Sequence, residues 1–528
     1  MDFLQLRSLK MINKINIYIF KKIFLKILIF IKKNNYKNKI YEYNFQNIAF
    51  SDEVLLKKLF LNIQDNSHEI NDEYYLFDWL FIAKKMGGSE NIKKIKKYIL
   101  NWENTKLKKN TNIWNRNFIS HRFINLIYNY DLYATSSAEK EKNIFQEIII
   151  QHHLMLSFML GKTDVNKLSL TELKASLLGK LIFGSNIDKD LLLLKKLILN
   201  HVDKNGFHKS YNAINQAHFI NNLHEIKNLL LYFKIQTPNE LNFQIINMSS
   251  LLLALIHKDS SLILFNGSNN IFSHEIFKLI KQAGDIKMKN LKNVSSGIAG
   301  YSDKNKKIFL DVVKPLNKSI NNDLHAGTLS FEVSYNNEKI ITNCGSAKKY
   351  FSKGPEYLRY SAAHSTLTLN NTNISELSAN KSYKRVPQNI SFNTVDTNDY
   401  IIWETSHDGY LKNYQKIIKR KLKIYKSVNL IEGQDEILTT KINSKSDSYS
   451  IRFHLMPNCN CLITNNKKSI LIKTKLNHSW IFKSRSPLSL EDSIYVGSGK
   501  RVEQNKQIVI YGTIKNAKKT ENWSLEKS

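Results

Sequence analysis

Apolar residues recur at helical spacing through the first half of the chain, from about Glu53 to about Gln282. The segments DEVLLKKLFLNI, ENIKKIKKYILNW and NIDKDLLLLKKLILNHV place their apolar positions three or four residues apart, which puts them on one face of a helix. Short polar breaks separate these segments, as at Gly87-Gly88, Asn205-Gly206 and Thr237-Pro238. The pattern predicts helical hairpins stacked side by side.

The pattern changes near Gly284, where the polar stretch GDIKMKNLKNVSSG precedes strand-length segments such as KKIFLDVV, TLSFEVSY and QIVIYGTI. These segments are rich in β-branched and aromatic residues, and polar turn clusters join them. Many short strands joined by turns rather than by helices predict an antiparallel β-sandwich. The expected organisation is a basic N-terminal segment at residues 1–50, a helical domain at residues 51–284 and a β-sandwich domain at residues 285–528.

Composition agrees with a multidomain globular protein. At 528 residues the chain is longer than a single hydrophobic core usually supports. The net charge of +33, from 78 Lys and Arg against 45 Asp and Glu, favours polyanionic partners. A general bias toward Lys, Asn and Ile explains the larger share of this charge. Nucleic acid is not the expected partner, because the chain has no zinc-finger spacing, RNP-type aromatic motif or arginine-rich arm.

The termini and cysteines add few constraints. Cys344, Cys459 and Cys461 are too few for a disulfide framework, and a lone C-x-C pair is a weak metal signal. The apolar run at residues 15–33 is interrupted by lysines, so no transmembrane span and no clear signal peptide are predicted. A basic amphipathic helix that touches a membrane is one alternative, and a helix packed on its own domain is favoured over it. Nucleotide-binding, zinc-protease and serine-hydrolase motifs are also missing from the sequence.

The region from Asp323 to Leu369 contains a distinctive set of elements: His325, Ser330-Phe331, Asn343-x-Gly345, Arg359 and His364. This set resembles the signature of the heparinase II/III C-terminal domain. The stretch WETSHDGY resembles a strand and turn found in bacterial members, and FDWLFIAKKMGG and NGFHKSYN occupy the family's order in the helical half. The resemblance implies an incomplete (α/α) toroid of helical hairpins followed by an antiparallel β-sandwich.

The resemblance also implies a reaction. Lyases of this family cleave uronic-acid-containing polysaccharides by β-elimination, in which tyrosine and histidine commonly move the protons. The residues carried over as catalytic are His208, Tyr211, His407 and Tyr410. A capping role competes with catalysis at His208.

Three further residues are expected to bind the acidic polysaccharide. Arg359 offers a bidentate partner for a carboxylate, with an internal ion pair as the alternative. Trp114, with Trp79 and Trp102, offers aromatic faces for sugar rings, although helix packing is the commoner use of such residues. Asn212 completes the segment NGFHKSYN.

His325, Asn343 and His364 lie on three different predicted strands and can converge on one sheet face. Members of the family that hold a metal in the sandwich use His, Asp and His at the matching positions. The resemblance therefore implies one structural zinc ion, and a hydrogen-bonded cluster without metal is the alternative. Asn343 supplies no negative charge, which lowers the expected zinc affinity.

Three departures from the family pattern support a second function, and one of them is Asn343 in place of an aspartate. Asp323 stands where the family has a histidine, and Gly327 stands where it has an acidic residue. The alternative is a non-catalytic or differently active protein that binds acidic glycans at the cell envelope. The resemblance places the protein in the envelope or periplasm, with the cytoplasm as the alternative. The sequence leaves the polymer and the oligomeric state open.

Overall fold

The computed structural model describes residues 36, 39–40, 43, 53–64, 72–106, 112–161, 163–164, 167–292, 297–315, 320, 324–346, 355–378, 383–441 and 446–528. The predictions made for the apolar run at residues 15–33 lie outside this part of the chain, as does Asp323. The chain divides into two compact units. The first contains residues up to 200 together with 221–243, and the second contains residues 201–220 and 244–528.

Helices occupy the described chain up to residue 282. One of them, Leu170–Phe183, begins with a capping box: Ser169 Oγ accepts from the main-chain nitrogen of Glu172 at 3.2 Å, and a Glu172 carboxylate oxygen accepts from the main-chain nitrogen of Ser169 at 2.9 Å. The helices are Glu53–Gln64 (α1), Trp79–Met86 (α2), Ser89–Lys106 (α3), Arg116–Tyr128 (α4), Tyr130–Ala134 (α5), Glu139–Leu160 (α6), Leu170–Phe183 (α7), Asp188–His201 (α8), Ala213–Tyr232 (α9), Asn239–Ala254 (α10) and Ser273–Gln282 (α11).

The first unit is built around the fourth helix. α4 packs against α6 and α7, and buried residues such as Trp79, Phe123 and Leu178 form one hydrophobic cluster. Arg122 is fully buried in it and donates to the main-chain oxygens of Tyr75 and Ile113 at 3.0 and 2.8 Å. These bonds satisfy a charged group that burial would otherwise destabilise. Among the described helices, none is both long and apolar enough to cross a membrane.

Strands form most of the second unit, and a short helix, Leu411–Tyr414 (α12), lies among them. The strands are Gly297–Ser302 (β1), Lys306–Val312 (β2), Phe331–Tyr335 (β3), Glu338–Thr342 (β4), Leu367–Leu369 (β5), Glu376–Leu377 (β6), Tyr383–Arg385 (β7), Ile390–Asp396 (β8), Tyr400–His407 (β9), Lys416–Tyr425 (β10), Leu430–Thr439 (β11), Asp447–Leu455 (β12), Asn460–Ile463 (β13), Ser469–Lys473 (β14), Ser479–Ser484 (β15), Leu488–Tyr495 (β16), Glu503–Ile514 (β17) and Lys518–Lys527 (β18).

Two eight-stranded antiparallel sheets share one hydrophobic core. The first runs β1-β2-β3-β4-β12-β17-β16, with β5 also paired to β12, and the second runs β13-β14-β15-β18-β11-β10-β9-β8. Residues alternate between core and surface, as in β10, where Ile418, Leu422 and Ile424 are buried. Arg420 points inward in the same series and pairs with Asp435 at 2.7 Å, so this buried cation has a buried anion.

The expected order of a helical part followed by an antiparallel β-sandwich is confirmed. The change from helices to strands falls between Gln282 and Gly297. The closed or open form of the helical array, described above as an incomplete toroid, stays a prediction. The domain bounds at residues 50 and 284 stay predictions as well.

Candidate functional site

A tight turn after α8 presents the segment that was expected to carry the catalytic groups. A single β-bridge joins Val202 to His208, and the main-chain nitrogen of Asp203 donates to Phe207 at 2.8 Å. Gly206 lies at the tip with a φ of 89°, a conformation that glycine adopts without strain. The NGF sequence therefore folds as a compact hairpin, and the hairpin and residues 208–212 both belong to the second unit.

Tyr211 is held in an unusual conformation against the half-buried carboxylate of Asp203. Its φ of 51° is rare for a residue with a large side chain, and its ring packs on Phe207 with centroids 5.4 Å apart. The Tyr211 hydroxyl donates to Asp203 Oδ2 at 3.2 Å, while Asp203 Oδ1 accepts from the main-chain nitrogens of Asn205 and Phe207 at 2.9 Å. Burial raises the pKa of the Asp203 carboxyl, and the main-chain donors partly oppose this. Residues with strained backbones and carboxyl groups with shifted pKa values, here Tyr211 and Asp203 respectively, cluster at functional sites.

Asp203 was not among the residues expected from the sequence. The available signal was its position four residues before Phe207 in VDKNGF, where an aspartate commonly accepts from the backbone of its own turn. That local role predicts the hydrogen-bond partners of one Asp203 carboxylate oxygen. It predicts no partner for the second oxygen. The second oxygen meets Tyr211 only because the turn reverses the chain.

His208 lies beside this pair with both ring nitrogens engaged. Nδ1 contacts Ser210 Oγ at 2.8 Å, and Nε2 lies 3.3 Å from Nδ1 of His201. Burial, together with the charges of His201 and Lys209, lowers the pKa of His208 to about 3. The imidazole is therefore neutral at physiological pH and belongs to a hydrogen-bonded row of side chains.

Asn212 begins α9 and connects this segment to the sandwich loops. Its Oδ1 accepts from the main-chain nitrogens of Ile214 and Asn215 at 2.8 and 3.1 Å, which is the geometry of a helix N-cap. Its Nδ2 donates to the main-chain oxygen of Asn266 at 2.8 Å. The oxygen and the nitrogen of the Asn212 carboxamide are thus both engaged in hydrogen bonds within the protein. The expected contact of Asn212 with a substrate has to compete with these bonds.

Asn266 lies between the turn and the predicted metal ligands. Its φ is 51°, it is 2% exposed, and its Oδ1 lies 3.5 Å from the main-chain nitrogen of His325. Within the described residues its Nδ2 is buried and has no hydrogen-bond partner. This residue was also missed from the sequence, where NGSN indicates only a turn. It brings residues 212 and 325 into one polar region.

His325, His364 and Asn343 meet, as the resemblance implied, although none of them lies within a strand. His325 Nδ1 is 3.3 Å from His364 Nε2, and His364 Nδ1 is 3.3 Å from Asn343 Oδ1. All three are buried. A Cβ at Gly327 would lie 2.9 Å from His364 Cγ, so the small residue at this departure from the family pattern makes room for the imidazole.

These three side chains form a row and do not converge as a zinc site requires. His364 uses one nitrogen toward His325 and the opposite nitrogen toward Asn343. A common metal needs one lone pair from each ligand aimed at a single point. Nor does the described part of the chain hold a group of three or more His, Cys, Asp or Glu arranged for a metal. The zinc expectation stays a prediction, checked by elemental analysis of the purified protein.

A buried charge cluster continues the row. Glu332 accepts from Asn343 Nδ2 at 3.1 Å, from Lys339 Nζ at 3.1 Å and from His257 Nε2 at 2.9 Å. Glu332 and Lys339 have no exposed side-chain surface. Burial lowers the pKa of His257 to about 4, and the Lys339 charge contributes in the same direction. Asn343 thus donates to a carboxylate and is fixed in the orientation that aims its oxygen at His364.

Of the other expected residues, Arg359 lies beside His325, whose pKa its charge helps to lower, and His407, Tyr410 and Trp114 lie elsewhere. His407 and Tyr410 are inside the sandwich, with the Tyr410 hydroxyl donating to the main-chain oxygen of Thr372 at 2.9 Å. Arg359 is half-buried, and its Nε donates to the main-chain oxygen of Leu324 at 3.1 Å. Trp114 belongs to the first unit, where it is buried and its ring lies 5.1 Å from the guanidinium of Arg122.

The comparisons with known proteins identify the strand-rich part of the chain. Residues 289–524 match the family model described as "Heparinase II/III-like, C-terminal". This region is a heparinase II/III-like C-terminal domain. The heparinase II/III-like domain contains the His325–His364–Asn343 row and the Glu332 cluster. Curated protein sequences contain no significant match to the chain.

Solved structures share the fold of the heparinase II/III-like domain and of the helices before it. The match to the crystal structure of heparinase III covers 93% of this chain and 88% of the heparinase III chain, with 14% sequence identity and a TM-score of 0.74. Heparan sulfate lyase HepC from Pedobacter heparinus matches 93% and 87%, with 13% identity and a TM-score of 0.62. Chondroitin AC lyase from Streptomyces coelicolor A3, in complex with chondroitin sulphate, matches 94% and 82%, with 8% identity and a TM-score of 0.52. The TM-scores show a common fold, and at such low identities they show nothing more, so activity has to be argued from the site.

Proposed function

We propose that the protein cleaves uronic-acid-containing acidic polysaccharides by β-elimination. The observation that carries this proposal is the hydrogen bond from the Tyr211 hydroxyl to the half-buried Asp203 carboxylate. It lies in a unit that also contains a heparinase II/III-like domain. The named activities of heparinase III, heparan sulfate lyase and chondroitin AC lyase, which share the fold, support the same substrate class.

The Tyr211–Asp203 pair suits the proton transfers of this reaction. The Tyr211 oxygen accepts the proton from C5 of the uronate while its own hydroxyl proton passes to Asp203 Oδ2. The electrons of the C5–H bond form the C4=C5 double bond, and the C4–O4 bond breaks with its electrons on O4. The pair then holds one additional proton and returns it to O4, which restores both residues. The raised pKa of Asp203 makes its carboxylate a stronger proton acceptor for this exchange.

Arg359 remains the residue proposed to bind the substrate carboxylate. A bidentate guanidinium neutralises the carboxylate and makes the C5 proton more acidic. Its Nε donates to the main-chain oxygen of Leu324, and this bond helps to fix the orientation of the guanidinium. His208, neutral because of its lowered pKa, is proposed to hold the Tyr211 segment in place through Ser210.

The test follows product formation with heparan-type, alginate-type and other uronate polymers by the ultraviolet absorbance of the unsaturated uronate. Tyr211→Phe keeps the ring on Phe207 and removes the hydroxyl, so the rate is expected to fall by about 10²-fold or more. Tyr511→Phe, on an exposed tyrosine of β17, is the matched control and should leave the rate unchanged. Folded protein that yields no product from any acidic glycan contradicts the proposal, as does a Tyr211→Phe variant with the wild-type rate.

A second function is supported by the burial of the histidines. His208, His325 and His364 are all buried with lowered pKa values, and burial is the first cause for each. A protein whose imidazoles are committed to internal bonds can bind acidic glycans at the cell envelope or in the periplasm without cleaving them. Glycan binding that persists without product, and that Tyr211→Phe leaves unchanged, would favour this function over the lyase. Cell fractionation tests the location.

A further inference from the structure

A small cavity in the second unit is lined by three lysines. It has a volume of about 220 Å³, and its walls include Met288, Lys289, Lys292, Tyr301, Lys307 and Phe309. We call it the lysine pocket. One water molecule occupies roughly 30 Å³ in the liquid, so the pocket has room for a few water molecules, one small anion or one acidic sugar ring. It is too small for an oligosaccharide, since sites for larger ligands begin at about 300 Å³.

Lys307 is the buried cation of this pocket. It is 6% exposed, and its ammonium donates to the main-chain oxygen of Ile256, with Met288 Sδ at 3.8 Å and the Phe309 ring at 5.4 Å. Among the described residues it forms no ion pair with a carboxylate. Burial lowers the pKa of Lys307 to about 8, and the charge of Lys258 acts in the same direction. An ammonium buried among neutral groups is costly unless something compensates it.

Lys289 has a similar environment. Its ammonium donates to the main-chain oxygen of Asn205 and to Asn247 Oδ1, which are both neutral acceptors. Burial lowers the pKa of Lys289, whereas the nearby charge of Asp203 raises it. Lys292 differs, because it pairs with Asp396 at 3.2 Å. The hydrogen-bond acceptors that the described residues offer to the Lys289 and Lys307 ammonium groups are therefore neutral, and the charge of Asp203 lies near Lys289 alone.

We propose that the lysine pocket binds a small oxyanion between Lys289 and Lys307. The group is a sulfate, a phosphate or a carboxylate, which two ammonium groups recognise by charge and by hydrogen bonds. The ligand is either a free inorganic anion or the acidic group of one sugar unit. Because Lys289 donates to Asn205, in the turn that carries Asp203 and leads to Tyr211, an anion bound here lies next to the proposed catalytic pair.

This site is independent of the elimination reaction, because binding needs no bond to break. The experiment uses the full chain with inorganic sulfate, inorganic phosphate and D-glucuronate, each compared with chloride at the same ionic strength. Binding is measured by titration calorimetry and by the rise in the unfolding temperature, since a ligand that binds only the folded state stabilises it. Concentrations extend to about 10 mM, which covers affinities in the millimolar range.

Two variants locate the site. Lys307→Met keeps the apolar stem and removes the charge, and Lys289→Gln removes the second ammonium. Each is expected to weaken anion binding by about tenfold or more, the usual consequence of losing a charged hydrogen bond. Lys304→Gln, on an exposed lysine between β1 and β2, is the matched control and should bind as the wild type does.

The outcomes separate the two sources of the anion. Binding of sulfate or phosphate that either variant weakens supports a free inorganic ligand, and binding of glucuronate alone supports a sugar acid. No binding of any of the three anions by the folded wild type overturns the proposal. Binding that both variants retain at wild-type strength also overturns it, because the anion then lies elsewhere. Anion binding is measured without any cleavage of a substrate, so a protein that proves inactive as a lyase does not change the interpretation of these results.

Discussion

Replacing Glu332 by glutamine is expected to destabilise the β-sandwich strongly. The carboxylate accepts from Lys339, His257 and both nitrogens of Asn343 at 2.9 to 3.1 Å, and none of its surface is exposed. Glu332→Gln leaves the buried Lys339 ammonium with only the main-chain oxygen of Leu262, at 3.1 Å, as a further acceptor. Breaking a buried ion pair by removing one partner costs about 3 to 5 kcal/mol, and we expect a loss of that size.

The loss has a defined pH dependence. Burial by itself would raise the pKa of Glu332, but the Lys339 charge and the hydrogen bonds from His257 and Lys339 lower it from 4.5 to about 2. Because the folded-state pKa is lowered, this stabilisation is fully present above pH 4.5 and is lost as the pH falls through about 2. The difference between wild type and variant should therefore be constant above pH 4.5 and shrink below it.

Urea unfolding followed by tryptophan fluorescence measures the effect, since Trp403, Trp480 and Trp523 all lie in the sandwich core. Glu404→Gln is the matched control, because that carboxylate pairs with Lys421 on the exposed face of the sheet and should change stability by at most about 1 kcal/mol. Adding Lys339→Met to Glu332→Gln removes the unpaired charge and should restore part of the loss. A single variant that loses less than about 1 kcal/mol at neutral pH would refute the reasoning.

Three other outcomes follow from the same contacts. Gly327→Ala should lower the free energy of unfolding by about 1 to 3 kcal/mol, because the new Cβ would lie 2.9 Å from His364 Cγ. Gly161→Ala is the control and should not lower it, since its Cβ would lie 3.5 Å from the nearest atom. Equal urea midpoints for the two variants would contradict this reasoning. Asn212→Ala removes the N-cap of α9 and should cost about 1 kcal/mol in the same assay, and an unchanged midpoint would argue against that role. Burial lowers the pKa of His364 to about 4 and that of His407 to about 3. Below pH 6.5 the unfolded chain therefore binds protons that the folded chain does not, and the free energy of unfolding should fall as the pH drops. A free energy of unfolding that stays constant down to about pH 4 would exclude this linkage.

Part of the candidate site was predictable from residue types and their order. The contact between His325 and His364 follows from the family resemblance, and the structure brings the two rings together. The expectation that their segments are strands was wrong, because positions such as Leu329, with a φ of 60°, interrupt the extended backbone before β3 begins. Asp203 and Asn266 were missed, since each belongs to a turn whose polar residues ordinarily serve their own backbone.

By itself the sequence determined the class of each half of the chain, because helical and strand periodicity are local properties that burial of one face imposes on successive residues. It also determined which residue types were available for proton transfer. Only the tertiary structure decided which of them meet: Tyr211 reaches Asp203 through a reversed turn, Asn266 joins segments more than fifty residues apart, and Glu332 gathers its donors from separate loops and strands. Those contacts depend on loop conformations and on the positive φ values at Tyr211 and Asn266. The hydrophobic pattern of the sequence predicts neither of these features.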